Sequence, residues 1–124
     1  MHKKILVVDD YESICESLAM LFREEGYLVD NTTDSAQGAR LIKKNRYDAC
    51  IFDYKMKGLT GIELLKMVKN KNPRCPVFIM SGVLNIDLLS TDKSVVSLAA
   101  GLIGKPFDVE QLLKNVAVSM HTLV

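Results

Sequence analysis

Short apolar runs alternate with amphipathic segments along the chain. The runs centre on residues 5–8, 27–29, 49–52, 77–80 and 101–104. An uninterrupted apolar run of this length, rich in β-branched residues, is typical of a strand covered on both faces of a sheet. The pattern therefore predicts five buried β-strands.

Apolar residues between these strands recur at the three- and four-residue spacing of a helix face. The first helix is expected over 13–25, where Gly26 ends it, and the third is expected to end before Pro73. The expected caps are Asp34 or Ser35 for the second helix, Thr60 with Glu63 in a capping box for the third, and Asp108 for the last. The expected core-facing residues are Ile14, Leu18, Leu21, Phe22, Ala36, Ala39, Ile42, Ile62, Leu65, Val68, Val109, Leu112, Leu113 and Val116.

The stretch 83–98 is the least regular part of the pattern. Leu88, Leu89, Val95, Val96 and Leu98 can reach a core, but Ser, Thr and Asp are frequent between them. These polar residues favour caps and turns over helix interiors. We expect a short or broken helix here.

Strands that alternate with helices predict an α/β fold, in which right-handed crossovers build a parallel sheet covered by helices on both faces. The 124 residues contain no Pro/Gly/Ser-rich linker, internal repeat or low-complexity tract. A chain of this length can bury roughly two thirds of its unfolded surface. We therefore predict one domain over residues 1–124.

Charge, hydropathy and cysteine content give no indication of a nucleic-acid partner, a membrane segment or a metal-binding cysteine cluster. Sixteen basic against fifteen acidic residues give a net charge of +1, so no nucleic-acid partner is indicated. No apolar stretch is long enough to cross a membrane, and the N-terminus lacks the apolar core of a signal peptide. Cys15, Cys50 and Cys75 show no metal-ligand spacing and favour a reducing, cytoplasmic location.

Polar residues stand where four of the predicted strands end. Asp9 and Asp10 follow the first strand, Asp53 the third, Ser81 the fourth and Lys105 the fifth. In an open parallel sheet ligands bind outside the carboxyl ends of the strands, so these side chains are expected to share one edge. Three crowded carboxylates either raise a pKa or recruit a cation, and an all-oxygen ligand set favours Mg²⁺. A carboxylate can also attack phosphorus and form an aspartyl phosphate.

Four segments in this order carry a resemblance to a known family. Residues 5–10, 53–56 with Gly61, 80–82 and 104–107 resemble the receiver domains of two-component response regulators, over essentially the whole chain. The resemblance implies a flavodoxin-like (CheY-like) doubly wound five-stranded parallel sheet, strand order 2-1-3-4-5, with five helices. It also implies that Asp53 is the phosphoacceptor, with Mg²⁺ bound directly by Asp10 and Asp53, by Asp9 through water, and by the backbone carbonyl of Lys55.

By the same resemblance, Ser81 and Lys105 contact the phosphoryl group, and the bond from Lys105 to Pro106 is cis. The donor would be a sensor histidine kinase or a phosphotransfer protein. The output surface would be the fourth helix, fifth strand and fifth helix, which would bind an unidentified downstream protein, with a phosphorylation-dependent homodimer left open. Such a domain is a signalling switch and not an enzyme for general substrates. The chain is either a stand-alone receiver or a piece of a longer regulator.

Each piece taken alone has a simpler interpretation. Asp9 and Asp10 could cap a helix, Asp53 could be a turn residue, and Ser81 and Lys105 could lie in ordinary loops. Their coincidence at the same strand ends favours the joint interpretation. Three alternatives remain: a degenerate receiver acting as a phosphorylation-independent interaction module, a magnesium phosphohydrolase, and a flavodoxin-like cofactor binder. The phosphohydrolase is disfavoured because no Asp-x-Asp pattern follows the first strand, and the cofactor binder because two acids would repel a phosphate there.

The chain departs from the family pattern in four places. Lys57 replaces a usual proline, Gly82 a usual alanine and Leu102 a frequent aromatic residue, and the stretch 81–105 is slightly long. We hypothesise that the domain signals by reordering 83–98 rather than by an aromatic rotamer switch. A second hypothesis is that Lys55 and Val83 set the phosphoryl lifetime, with Val83 a poor guide for an attacking water.

Overall fold

The computed structural model describes residues 2–82 and 91–121. Its first half contains β1 (Lys4–Val8), α1 (Glu12–Glu24), β2 (Leu28–Thr32), α2 (Ser35–Lys44) and β3 (Ala49–Asp53). Its second half contains α3 (Gly61–Lys71), β4 (Val77–Gly82), α4 (Lys93–Leu98), β5 (Gly101–Lys105) and α5 (Val109–His121). The five predicted strands are all present, with β2 extending to Thr32 rather than ending at residue 29.

The strands form one five-stranded sheet in the order β2-β1-β3-β4-β5, and every neighbouring pair is parallel. The predicted strand order is confirmed. Because all strands run the same way, their carboxyl ends meet at one edge of the sheet, where Asp53 of β3 pairs with Met80 and Ser81 of β4 pairs with Gly104.

Side chains that alternate along each strand divide the core between the two faces of the sheet. Ile5 and Val7 belong to a cluster that is closed by α1 and α5, whereas Leu6 and Val8 belong to a second cluster closed by α2, α3 and α4. All four of these β1 side chains are fully buried. This two-sided burial is why β1 has no polar position between Ile5 and Val8.

Helix caps follow the predicted residues. The Asp34 side chain accepts a hydrogen bond from the amide of Ala36 at 3.0 Å, Thr60 Oγ1 accepts from Glu63 at 3.2 Å, and Asp108 accepts from Gln111 at 3.1 Å. Each bond satisfies one of the amides that a helix start leaves unpaired.

Several predicted core positions are wrong in detail. Ala36 is exposed and Val109 is 37% exposed, because α2 and α5 turn other residues toward the sheet. In α2 the inward positions are Ser35, Gly38 and Ile42. In α3, Leu64 is fully buried although the pattern did not single it out.

The stretch expected to be a broken helix contains the six-residue helix α4, which is capped by Asp92 through the amide of Ser94 at 3.0 Å. Val95 is buried in the second cluster, and Leu98 packs against it. Val83, Leu88 and Leu89 lie outside the described residues. Within the described ranges, no helix is long and apolar enough to span a membrane.

Candidate functional site

Three carboxylates converge at the carboxyl edge of the sheet. Asp9 and Asp10 follow β1, and Asp53 ends the neighbouring strand β3. One oxygen from each residue lies within 4.8 Å of the others. Asp9 is fully buried, Asp53 is 6% exposed and Asp10 is exposed, so the cluster has a buried floor and an open side.

Lys105 bridges two of these carboxylates. Its ammonium nitrogen lies 3.0 Å from Asp9 Oδ2 and 3.0 Å from Asp53 Oδ1. Lys105 is the last residue of β5, and its side chain reaches past β4 to the ends of β1 and β3. The peptide bond from Lys105 to Pro106 is cis, as predicted.

The charges of this cluster do not balance. Burial raises the pKa of Asp53 above its usual value; the Lys105 hydrogen bond opposes this shift, while the charges of Asp9 and Asp10 add to it. Burial tends to lower the pKa of Lys105, but the hydrogen bonds to Asp53 and Asp9, with their charges, raise it overall. Three carboxylates face one ammonium, so the cluster carries excess negative charge. A divalent cation would offset that excess.

The two carboxylate oxygens of Asp9 have different partners. Its Oδ1 accepts a hydrogen bond from the amide of Tyr11 at 2.9 Å, while its Oδ2 faces Lys105. The simpler interpretation of Asp9 as a helix cap is wrong, because Tyr11 is the N-cap of α1 and no side chain caps the helix; Asp9 instead holds the turn that leads into it. The same carboxylate nevertheless lies inside the acidic cluster.

Ser81 lies on β4, one residue beyond the partner of Asp53 in the sheet register. It is 2% exposed, and within the described part of the chain its hydroxyl oxygen has no hydrogen-bond partner. A buried unpaired hydroxyl costs about 1–3 kcal/mol, so its presence in a strand calls for an explanation. A ligand oxygen at the carboxyl edge would supply the missing partner.

Lys55 lies in the loop between β3 and α3, two residues beyond Asp53, and its side chain is exposed. Glycines shape both the middle and the end of this loop. Gly58 has a φ of +81°, and a Cβ at Gly61 would collide with the backbone carbonyl of Asp53. Non-glycine residues rarely adopt the positive φ of Gly58, and there is no room for a side chain at Gly61.

Ser35 anchors this loop and was missed as a site residue, because its position suggested only a helix cap. The buried hydroxyl donates a hydrogen bond to the carbonyl of Lys57 at 2.8 Å and accepts one from the amide of Leu59 at 2.9 Å. The loop is thus held by α2 through the backbone of Lys57 and Leu59. Nothing in the sequence indicates that Ser35, the first residue of α2, forms a hydrogen bond with a residue 22 positions away.

The fold and the acidic cluster together define a doubly wound α/β domain with a lysine-bridged carboxylate pocket at the carboxyl edge of its sheet. Residues 5–117 match the family model of the response regulator receiver domain. The chain therefore belongs to the receiver domain family of two-component response regulators.

Individual relatives agree with this assignment. The chain is 32% identical over 112 residues to sporulation initiation phosphotransferase F of Bacillus subtilis (strain 168), covering 90% of this chain and 89% of that protein. It is 34% identical over 119 residues to the transcriptional regulatory protein ZraR of Klebsiella oxytoca, covering 95% of this chain but 26% of that protein. It likewise spans 48% of the response regulator MprA of Mycobacterium sp. (strain KMS).

Solved structures show the same fold. The Francisella response regulator 1452 receiver domain superposes with a TM-score of 0.86 at 28% identity, covering 99% of this chain and 100% of that one. A response regulator receiver domain protein from Clostridium thermocellum gives a TM-score of 0.86 at 26% identity, covering 97% and 95%.

Proposed function

We propose that this domain is a phosphorylation switch in which Asp53 accepts a phosphoryl group from the phosphohistidine of a sensor histidine kinase or phosphotransfer protein. The observation that carries the proposal is the pair of 3.0 Å contacts from Lys105 to Asp9 and Asp53. They join residues of three strands into one pocket with excess negative charge. A purely structural ion pair would need one carboxylate, not three.

In the proposed transfer, a carboxylate oxygen of Asp53 attacks phosphorus and forms a new P–O bond. The P–N bond to the imidazole breaks, and its electron pair leaves on the histidine nitrogen. Lys105 already lies beside Asp53 Oδ1, where its charge offsets negative charge on the transferring group. Because it is fixed by Asp9 as well, the ammonium is in position before the donor arrives.

Mg²⁺ is the proposed cofactor. Asp9, Asp10 and Asp53 would hold it, with the backbone carbonyl of Lys55 as a further ligand. The fit rests on three carboxylates within 4.8 Å of one another, which provide the all-oxygen donor set that Mg²⁺ prefers. When bound, the ion would neutralise charge on the carboxylates and on phosphoryl oxygens.

Ser81 is proposed to donate a hydrogen bond to a phosphoryl oxygen. Its hydroxyl is buried beside the end of β3 and lacks a partner among the described residues. A phosphoryl oxygen would supply this missing partner.

Output is proposed to run through α4, β5 and α5. A groove of about 810 Å³ opens on this side, lined in part by Leu102, Lys114 and Val118. Val118 is 51% exposed, and β5 is an edge strand whose residues are all half-buried. A downstream protein, or an effector segment of a longer regulator, would bind here. The domain itself would not turn over general phosphate esters.

The test is phosphorylation by a small donor. The protein is incubated with Mg²⁺ and acetyl phosphate, and its intact mass is recorded beside that of Asp53→Asn. A gain of one phosphoryl group that needs Mg²⁺ and is lost in the variant supports the switch. The absence of an adduct, together with a failure to bind beryllofluoride, would instead indicate a degenerate receiver that acts as an interaction module.

A further inference from the structure

Two buried cysteines face each other on the α2–α3 side of the sheet. Cys50 lies on β3 and Cys75 lies in the turn before β4; their sulfur atoms are 3.9 Å apart. Cys50 is fully buried and Cys75 is 3% exposed. The two residues are 25 positions apart in the chain, so only the fold brings them together.

We propose that Cys50 and Cys75 are an oxidation site at which a hydroperoxide converts the two thiols into a reversible disulfide. This inference does not rest on the proposed phosphorylation. Cys50 lies roughly 10 Å before Asp53 along β3, and its side chain is on the opposite face of the sheet. The sulfur atoms need to approach by only about 2 Å to reach bonding distance.

The surroundings favour one order of reaction. The hydrogen bond with Cys50 lowers the pKa of the Cys75 thiol, and the ammonium of Lys69 lowers it further, although burial opposes them. That ammonium donates to the backbone carbonyl of Cys75 at 2.6 Å. Burial raises the pKa of Cys50 well above its usual value. Cys75, which has the lower pKa of the two, is therefore the thiol that ionises more readily and is proposed to attack first.

The chemistry balances with the peroxide as the only oxidant. The Cys75 thiolate attacks one peroxide oxygen, the O–O bond breaks, and an alcohol or water leaves once its oxygen takes a proton. The resulting sulfenic acid then condenses with the Cys50 thiol, which forms the S–S bond and releases water. A dithiol reductant reverses the reaction by exchange.

A small cavity adjoins the pair. It has a volume of about 10 Å³ and is lined by Cys50 and Cys75 together with Ile42, Tyr47 and Val68. This is room for about one water-sized molecule. The cavity is too small to hold a peroxide in the closed structure, so the proposed reaction requires the turn at Cys75 to open locally while the sheet stays folded.

Cys15 provides a matched internal control. It is also fully buried, but it lies in the cluster on the opposite face of the sheet. Its sulfur contacts the carbonyl of Thr32 at 3.5 Å and the side chain of Asn31 at 3.7 Å. Because Cys15 lies on the other face of the sheet from Cys50 and Cys75, it cannot take part in their disulfide and should keep its thiol.

The experiment exposes the native protein to hydrogen peroxide, unfolds it in the presence of an alkylating reagent, and counts alkylated thiols by mass. We expect the count to fall from three to one, with peptides of Cys50 and Cys75 linked and Cys15 alkylated. Cys15→Ala should lose both of its thiols at the wild-type rate, and Lys69→Met should lose them several-fold more slowly.

Three results would overturn the proposal. One is that all three thiols survive a peroxide exposure that oxidises the unfolded chain. Another is that Cys75→Ala loses thiols as fast as the wild type. The third is an oxidation rate that rises with low urea in proportion to the unfolded population, because the disulfide would then belong to the unfolded chain. Recovery of all three thiols after dithiothreitol supports reversibility.

Discussion

The ammonium of Lys105 lies 3.0 Å from Asp53 Oδ1, so the proposed nucleophile is already paired with a cation before any ligand arrives. The same ammonium is held by the fully buried Asp9. A metal ion that binds Asp53 therefore shares a carboxylate with Lys105. The lysine should weaken metal binding and assist phosphoryl transfer, and these two effects can be separated.

We expect Lys105→Met to bind Mg²⁺ more tightly and to accept phosphate more slowly. Removing a positive charge beside two carboxylates strengthens their attraction for a divalent ion, by roughly tenfold or about 1.4 kcal/mol. Loss of a charge that stabilises the transferring group should slow phosphorylation by roughly a hundredfold. Calorimetric titration with Mg²⁺ and the rate of mass gain from acetyl phosphate measure the two effects. Lys105→Arg, which keeps the charge, should leave Mg²⁺ affinity near wild type. If Lys105→Met loses both Mg²⁺ affinity and phosphorylation rate, Lys105 does not weaken metal binding.

The raised pKa of Asp53, caused mainly by burial, makes the fold sensitive to pH in a defined direction. An acid whose pKa is higher in the folded state destabilises the fold once it ionises. This penalty is absent below the ordinary value of 3.8 and grows as the pH rises through the folded value. Without Mg²⁺, Asp53→Asn should therefore match the wild type in acid and exceed it near neutral pH by on the order of 1 kcal/mol. Urea unfolding over a pH series measures the difference, and an offset that does not change with pH would exclude this cause.

Mg²⁺ should stabilise the folded protein by mass action. At a free concentration about 100 times the dissociation constant, the expected gain in the free energy of unfolding is about 2.7 kcal/mol. Asp10→Asn should reduce the gain at a given Mg²⁺ concentration, because the variant removes one carboxylate of the cluster. Glu24→Gln removes an exposed acid at the end of α1 and should keep the full gain. Thermal unfolding with and without Mg²⁺ provides the comparison. If Mg²⁺ raises the unfolding temperature equally in Asp10→Asn and Glu24→Gln, Asp10 does not bind the ion.

Ser81→Ala should separate stability from function. The hydroxyl is buried without a partner in the described residues, so its removal should leave stability unchanged or raise it by about 1 kcal/mol. Phosphorylation should become slower, because a proposed donor to the phosphoryl group is lost. Unfolding and phosphorylation are measured on the same preparation. A variant that is less stable and phosphorylates normally would show that Ser81 has a structural role only.

The sequence predicted the strand ends better than the helix faces. Lys105 and Asp9 are 96 residues apart, yet their proximity follows from one rule, the shared carboxyl edge of parallel strands. Ala36 and Val109 were assigned to the core wrongly and Leu64 was omitted, because one residue moves a helical side chain by about 100° around the axis, which spacing alone does not fix. The contact between Cys50 and Cys75 depends on the path of the turn before β4, and hydrophobic periodicity contains no information on that path.

The hydrogen bonds of Ser35 lead to a prediction about the loop that carries Lys55. Its hydroxyl joins α2 to both the Lys57 carbonyl and the Leu59 amide, so Ser35→Ala leaves two loop groups without their partner. The expected loss is about 1–2 kcal/mol of stability, with faster amide exchange over residues 55–59 and weaker Mg²⁺ binding. Ser97→Ala is the matched control, since Ser97 is exposed and its hydroxyl contacts only the Ser94 carbonyl of its own helix among the described bonds. If Ser35→Ala lowers stability but leaves both loop exchange and Mg²⁺ affinity at the wild-type level, Ser35 supports α2 and does not position the loop. If all three change together, the Ser35 anchor is part of the metal-binding geometry.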